Sequence, residues 1–381
     1  MKSKRIIAVH LLNDWSGSPL VFRQSLEALQ AAGYVVTLFT ATPSGTGFLS
    51  NIAGISTEAL QYRWHPAKVV TLVNYLVTQF RLFVRLLFLL RATDTVYINT
   101  LLPFGAALAG RLRGCRVVYH VHEVSIKPRI LKMWLRGVAN WTAQEALFVS
   151  DYTARQTALS RPASRLIYNA LPDSFVKRAG EISSPNTVFP FTALMICSNK
   201  AYKGINEFVA VAQQLPHIRF MLVLNANQAD VDVFVAQVQP PINCTVFAAQ
   251  TDTISFYEKA HVVLNLSHRT AWVETFGLTI LEGMLCGRPV LVPPVGGVRE
   301  LIDDGVEGFV VDALNLPPVV DALRRLSSDI TLYMRMAEAA RSRAASFSGS
   351  AFRQQILAVF GPEAAGATPA HELLADQLPL S

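Results

Sequence analysis

Short runs of β-branched and apolar residues, each followed by a stretch of helical period, alternate along almost the whole chain. Few architectures accept that order. A strand that returns to its own sheet through a helix must run parallel to its predecessor, so the chain reads as α/β, with parallel sheets covered by helices. In the first half the expected strands are 5–12 (RIIAVHLL), 34–40, 95–99, 116–121, 146–149 and 165–168; in the second half they are 191–197, 219–224, 244–248, 261–266, 289–293 and 308–311. With 381 residues, 51% of them hydrophobic, the chain exceeds one ordinary core and can fill two. Pro, Gly and Ser cluster without periodicity in residues 173–190, which are read as a linker between a domain over 1–172 and another over 191–345. Residues 346–360 form a C-terminal helix that can return to the first domain, and 361–381 read as a weakly ordered tail.

Charge and cysteine usage narrow the function classes. Residues 1–180 hold 21 Lys/Arg against 8 Asp/Glu, whereas residues 181–381 hold 13 against 19. A basic first half suits an anionic partner such as a lipid surface; nucleic acid fits less well, because no zinc-finger spacing or RNA-binding aromatic signature is present. The acid-free stretch 68–92 (KVVTLVNYLVTQFRLFVRLLFLLRA) is interrupted by Arg81 and Arg85, which makes it a poor bilayer span. It reads either as a core helix or, together with 127–141 (KPRILKMWLRGVANW), as a face resting on anionic lipid. The run at 5–12 is too short for a signal-peptide core. Cys115, Cys197, Cys244 and Cys286 are dispersed and form no CxxC, which fits reduced, buried thiols.

The chemistry concentrates in residues 274–311, ETFGLTILEGMLCGRPVLVPPVGGVRELIDDGVEGFVV. A helix expected to start after Gly277 offers unpaired N–H groups and its dipole to a diphosphate, while the glycine allows close approach to the backbone. Glu282 can accept from a vicinal diol, as acids do for ribose in other Rossmann sites, and Glu274 can hold a second polyol. The bland alternative is that both acids only solvate a helix.

Glu274, seven intervening residues and Glu282, followed by GRPV and the turn at Gly296 and Gly297, resemble the donor-site signature of the family-4 retaining glycosyltransferases. The resemblance implies the GT-B fold, two Rossmann-like parallel-sheet domains facing a cleft. It implies Glu282 on the ribose, Glu274 on the transferred sugar, and Phe276, Gly277 and Leu278 meeting sugar and diphosphate through their backbone. In ICSNKAYKGINEF (196–208), Lys203 stands at the family's phosphate-contacting Lys; Ser198 replaces its Arg, and Lys200 is the nearest basic substitute. A Lys there would neutralise the departing diphosphate. Gly17 is the one glycine where the family usually carries a Gly-Gly pair, in a loop leading to a helix with Ser18 as its expected N-cap. His122, at the end of VVYHVHE beside Glu123 and His120, matches the histidine placed by the transferred sugar. Ser267 matches a strand-end Ser but lies seven positions before Glu274, a longer interval than usual.

Asp230-Val231-Asp232 spells DxD but begins a helical stretch, where acids favour the first turn, so no metal site is expected. The implied protein is a cytoplasmic enzyme peripheral to the inner face of the plasma membrane, without cofactor. It would take a UDP- or GDP-linked sugar as co-substrate and a lipid-linked or cell-surface glycan of bacterial type as acceptor. A nucleotide-sugar epimerase and a non-catalytic scaffold of the same fold are the alternatives.

Overall fold

The computed structural model describes residues 5–43, 45–182 and 190–361. The chain divides into two compact units, one comprising Met1–Asn169 with Ser350–Ser381 and the other Ala170–Gly349.

The first unit runs β1 (Arg5–Leu12), α1 (Gly17–Ala31), β2 (Val35–Ala41), β3 (Ser56–Ala59), α2 (Lys68–Leu89), β4 (Thr95–Asn99), α3 (Phe104–Leu112), β5 (Arg116–Val121), α4 (Arg129–Thr142), β6 (Glu145–Phe148), α5 (Asp151–Thr157) and β7 (Ala163–Leu166). Its seven strands lie in the order β3-β2-β1-β4-β5-β6-β7, with every pairing parallel. The central strands are buried on both faces, as helix-covered parallel strands must be. β3 was not expected from sequence: its residues, STEA, are mostly exposed and carry no apolar signal, the composition of an edge strand.

The second unit runs α6 (Asp173–Gly180), β8 (Thr192–Ser198), α7 (Ile205–Gln214), β9 (Arg219–Asn225), α8 (Gln228–Val238), β10 (Cys244–Phe247), α9 (Ile254–Lys259), β11 (Val262–Leu264), α10 (Leu278–Leu285), β12 (Val290–Val292), β13 (Gly308–Val310), α11 (Leu316–Ser328) and α12 (Ile330–Ala345). Its six parallel strands take the order β10-β9-β8-β11-β12-β13. The expected linker is thus in part a helix: α6 belongs to this unit, where Arg178 pairs with Asp252 at 2.7 Å. Residues 183–189 of that stretch, and the expected tail from 362 onward, lie outside the described residues.

The last helix, α13 (Gly349–Phe360), packs on the first unit. Tyr34 donates to the Phe360 carbonyl at 2.8 Å, the Phe360 ring meets Tyr97 edge-on at 4.9 Å, and Arg116 donates to the Val359 carbonyl.

Strand order places the sites. In each unit the connection reverses direction beside the first strand, between β1 and β4 and between β8 and β11. Ligands of open α/β sheets bind at the carboxyl ends of the strands at such switch points.

Candidate functional site

In the second unit the switch point brings together residues far apart in sequence. The turn after β8 carries Lys203 and the loop after β11 carries Glu274; Lys203 Nζ donates to Glu274 Oε2 at 2.8 Å. Both groups are largely buried. Burial alone would push each toward neutrality, but their mutual attraction outweighs it, holding the Glu274 carboxyl below its ordinary value and the Lys203 ammonium above its own. Asn265, immediately after β11, adds a long contact to the same carboxylate oxygen at 3.4 Å.

Glycines set this geometry. Gly204 follows Lys203 at φ +78°, and a Cβ there would lie 2.2 Å from the Leu266 carbonyl, so the lysine turn rests directly on the β11 loop. Gly296, at φ +114°, lies where a Cβ would be 2.3 Å from the Glu274 carbonyl, and the Gly297 N–H donates to that carbonyl at 2.9 Å. The Gly-Gly turn therefore clamps the backbone that presents Glu274.

Helix α10 starts at Leu278 with Gly277 as N-cap in the left-handed region (φ +95°), against Val298. No side chain caps it, so the N-terminal N–H groups stay available to an anion. The Phe276 ring is buried edge-on to Phe347, leaving its backbone as the part that can meet a ligand. Glu282, one turn into α10, accepts from the Tyr257 hydroxyl, and burial raises its carboxyl to about 7 against the lowering effect of that hydrogen bond. Lys200 is exposed in the turn after β8, where its N–H donates to the Ser198 carbonyl at 2.7 Å and its carbonyl accepts from the Lys203 N–H at 2.9 Å; Ser267 is buried, its N–H donating to Asn265 Oδ1. Asp230 and Asp232 sit on α8, the Asp230 N–H donating to the N-cap Asn227 and Asp232 accepting from Gln228.

In the first unit, the carboxyl ends of β1, β4 and β5 gather His10, Asn99, His120 and His122, all buried. Asn99 Nδ2 contacts His10 Nδ1 at 3.0 Å and donates to Ser18 Oγ at 2.9 Å, and His120 Nδ1 pairs with the Tyr97 hydroxyl at 2.8 Å. The His120 and His122 rings lie 4.3 Å apart. Burial drops His10 to about 4 and His120 to about 3, and it holds His122, next to two other imidazoles, well below its ordinary value; all three are neutral at pH 7. Beside them Glu123 accepts from the Leu101 N–H at 2.9 Å, and burial raises its carboxyl to about 7. Ser18 is not the cap of α1: the helix starts earlier, at exposed Gly17 with Ser16 as N-cap, because the Ser18 hydroxyl is committed to Asn99.

Asn265 and Tyr257 lie outside the motifs marked in the sequence, Asn265 two positions before Ser267. Arg288 lies within the GRPV of the donor motif, where nothing local marks its burial. It is fully buried, its Nε donating to the Tyr257 carbonyl at 2.9 Å.

Two family models match the chain. The model described as glycosyl transferase 4-like domain covers residues 16–172, and that described as glycosyl transferases group 1 covers residues 187–343. The chain is 35% identical over 123 residues to a D-inositol 3-phosphate glycosyltransferase of Frankia alni, covering 32% of this chain and 28% of that protein. It is 42% identical over 88 residues to the alpha-D-kanosaminyltransferase of Streptomyces kanamyceticus, covering 23% of each. The chain thus spans about a quarter of the length of these curated relatives. Among solved structures, Anabaena HepE in complex with UDP and glucose superposes with a TM-score of 0.73 at 17% identity, over 93% of this chain and 98% of that one. A sucrose-phosphate synthase from Thermosynechococcus elongatus gives 0.74 at 19%, with the same coverage, and these likenesses show the fold. Two parallel-sheet Rossmann-like units matched in turn by these two glycosyltransferase models place the chain in the family-4 glycosyltransferases of GT-B fold.

Proposed function

We propose that the chain transfers a sugar, with retention of configuration, from a UDP- or GDP-linked donor bound by its second unit. The observation that carries this is the buried Lys203–Glu274 pair lying across the switch point. It presents a cation suited to the leaving phosphate and a carboxylate suited to sugar hydroxyls, and the uncapped start of α10 and Glu282 follow in the same motif. In the reaction the bond between the anomeric carbon and the β-phosphate oxygen breaks. The acceptor hydroxyl oxygen bonds to that carbon on the same face, and its proton passes to the departing phosphate. Lys203 balances charge on the diphosphate, and Glu274, held anionic, stabilises the sugar as its ring becomes cationic. His122, kept neutral by burial, is the first unit's candidate for contact with the transferred sugar. No metal takes part in this reading, so turnover should persist in EDTA; loss with rescue by manganese would restore Asp230 and Asp232 as candidates. Turnover without acceptor would favour an epimerase, and lack of any nucleotide-sugar binding a scaffold.

We further propose that the acceptor is lipid-linked and that the first unit meets it at the cytoplasmic face of a membrane. Helix α2 is long and apolar enough to span a bilayer by length and composition, yet it packs on α3 through buried Tyr75, Leu82 and Leu86. Its other side is unusually apolar for a surface: Val69, Val73, Leu76, Phe80 and Phe88 are exposed, Phe88 by 88%. Helix α4, also packed on α3, exposes Ile130, Met133, Trp134 and Trp141, with Lys127, Arg129 and Lys132 around them. Apolar residues flanked by bases suit the interface of an anionic bilayer. Arg85 contributes less to it than the sequence suggested, because it pairs with Glu58 at 2.7 Å and lies over the Phe39 ring.

A further inference from the structure

We propose that Tyr257 is a positioning residue of the donor site, fixing one oxygen of the Glu282 carboxylate so that the other is presented to the ribose hydroxyls of a nucleoside diphosphate. The inference rests on the donor-site reading above and adds to it a residue outside the motif that carries the family resemblance.

Tyr257 lies on α9 and is wholly buried. Its hydroxyl donates to Glu282 Oε2 at 2.5 Å and lies 3.3 Å from the Thr279 carbonyl, so it bridges the side chain and the backbone of the same helical turn of α10. The phenol itself has little freedom. The Phe175 ring of α6 packs edge-on against it at 5.9 Å, and the Tyr257 carbonyl accepts from the buried Arg288 Nε at 2.9 Å. Arg288 Nη2 also donates to the Glu258 carbonyl at 3.2 Å, tying the last turn of α9 to the segment after α10. A free glutamate side chain samples several rotamers, and binding must then meet the cost of ordering it. Here that ordering is built in before any ligand arrives, the condition for a hydrogen-bonding group to contribute its full value.

The elements packed against α10 carry Tyr333 and Arg341 on α12 and Lys177 and Arg178 on α6, while Cys286 is the C-cap of α10 and Arg288 follows it. Among the interactions that set the charge state of Glu282, burial raises its carboxyl to about 7 and the Tyr257 hydrogen bond lowers it. A carboxylate that accepts from ribose must be ionised. Donor affinity therefore increases as pH rises through about 7, and removing the Tyr257 hydroxyl moves that rise to higher pH.

The experiment is calorimetric titration of the full chain with UDP and GDP, and with the 2′-deoxy analogue of whichever binds, between pH 5.5 and 8.5, values on the order of one or two units either side of the midpoint. Tyr257→Phe is expected to weaken the nucleoside diphosphate by about tenfold, to reduce the penalty for the missing 2′-hydroxyl, and to shift the pH midpoint upward. If Tyr257→Phe does not fold, Glu282→Gln carries the test. With its amide oxygen held by Tyr257, the variant turns an NH2 donor toward the ribose hydroxyl oxygens in place of a charged acceptor, and discrimination against the 2′-deoxy analogue is expected to shrink and to lose its pH dependence. A folded Tyr257→Phe with unchanged affinity, discrimination and pH midpoint, alongside a Glu282→Ala that loses affinity, overturns the role of Tyr257 and leaves the donor site standing. A Glu282→Gln that discriminates as the unaltered protein does overturns it equally. Failure of the unaltered protein to bind either nucleotide overturns the donor-site reading, and the inference with it.

Discussion

Lys203 and Glu274, 71 positions apart, are joined by a 2.8 Å ion pair at the switch point of the second sheet. Each is the other's main source of charge compensation. Removing only the lysine leaves a largely buried carboxylate, which costs on the order of 3 kcal/mol. Lys203→Ala is therefore expected to lower both turnover and stability, whereas the double variant Lys203→Met with Glu274→Gln should regain most of the stability and none of the turnover. Urea denaturation beside steady-state kinetics checks this; a double variant as unstable as Lys203→Ala contradicts it.

Gly296 offers a subtler perturbation of the same carboxylate. Gly296→Ala places a methyl against the Glu274 carbonyl and strains a backbone at φ +114°, at a cost of about 1 to 3 kcal/mol. Because the turn holds Glu274 rather than touching ligand in this reading, turnover should fall more than nucleotide affinity does. Loss of affinity with normal turnover would contradict it.

The parts of this molecule legible in its sequence were those governed by local pattern. Continuous apolar strands gave both sheets, and Glu274, Gly277 and Glu282 stood out because one loop and one short helix hold them at fixed spacing. The polar edge strand β3 carried no such pattern. Nor did the pairing of Lys203 with Glu274, the bridge from Tyr257 to Glu282, or the burial of Arg288, since each depends on which loops the strand order brings side by side. Ser18 misled for a related reason: a residue suited to cap α1 is claimed instead by Asn99 from a strand 81 positions away.

The histidine cluster gives the first unit a pH signature. Unfolded histidines titrate near 6.5, while His10 and His120 in the fold titrate at about 4 and about 3, so between those values the unfolded chain binds more protons. Their contribution is fully present above 6.5 and is lost as pH falls toward 4. Glu123 acts in the opposite sense, losing stability as pH rises from 4.5 to about 7, so a variant comparison is needed. His120→Gln is expected to flatten the acid limb of stability in denaturant melts from pH 7 to pH 4, a window on the order of that separation; an unchanged slope would contradict the assignment.

Membrane docking should depend on apolar residues as well as charge. Replacing Val73 and Phe80 on α2, or Ile130 and Met133 on α4, by Asp is expected to release the protein from phosphatidylglycerol vesicles in a flotation assay, while added salt weakens binding only partly. Binding indifferent to these changes and to lipid charge would contradict the proposal.

The most direct test of the whole account is calorimetric titration of nucleoside diphosphates in the presence of EDTA, for the unaltered chain and for Glu282→Ala. One UDP or GDP per chain should bind to the former. The latter, folded by circular dichroism, should lose about 1.5 to 3 kcal/mol of binding free energy, the worth of a hydrogen bond to a charged group. A chain that binds neither nucleotide, or a Glu282→Ala variant that binds as tightly as the unaltered protein, would contradict the placement of the donor in the second unit.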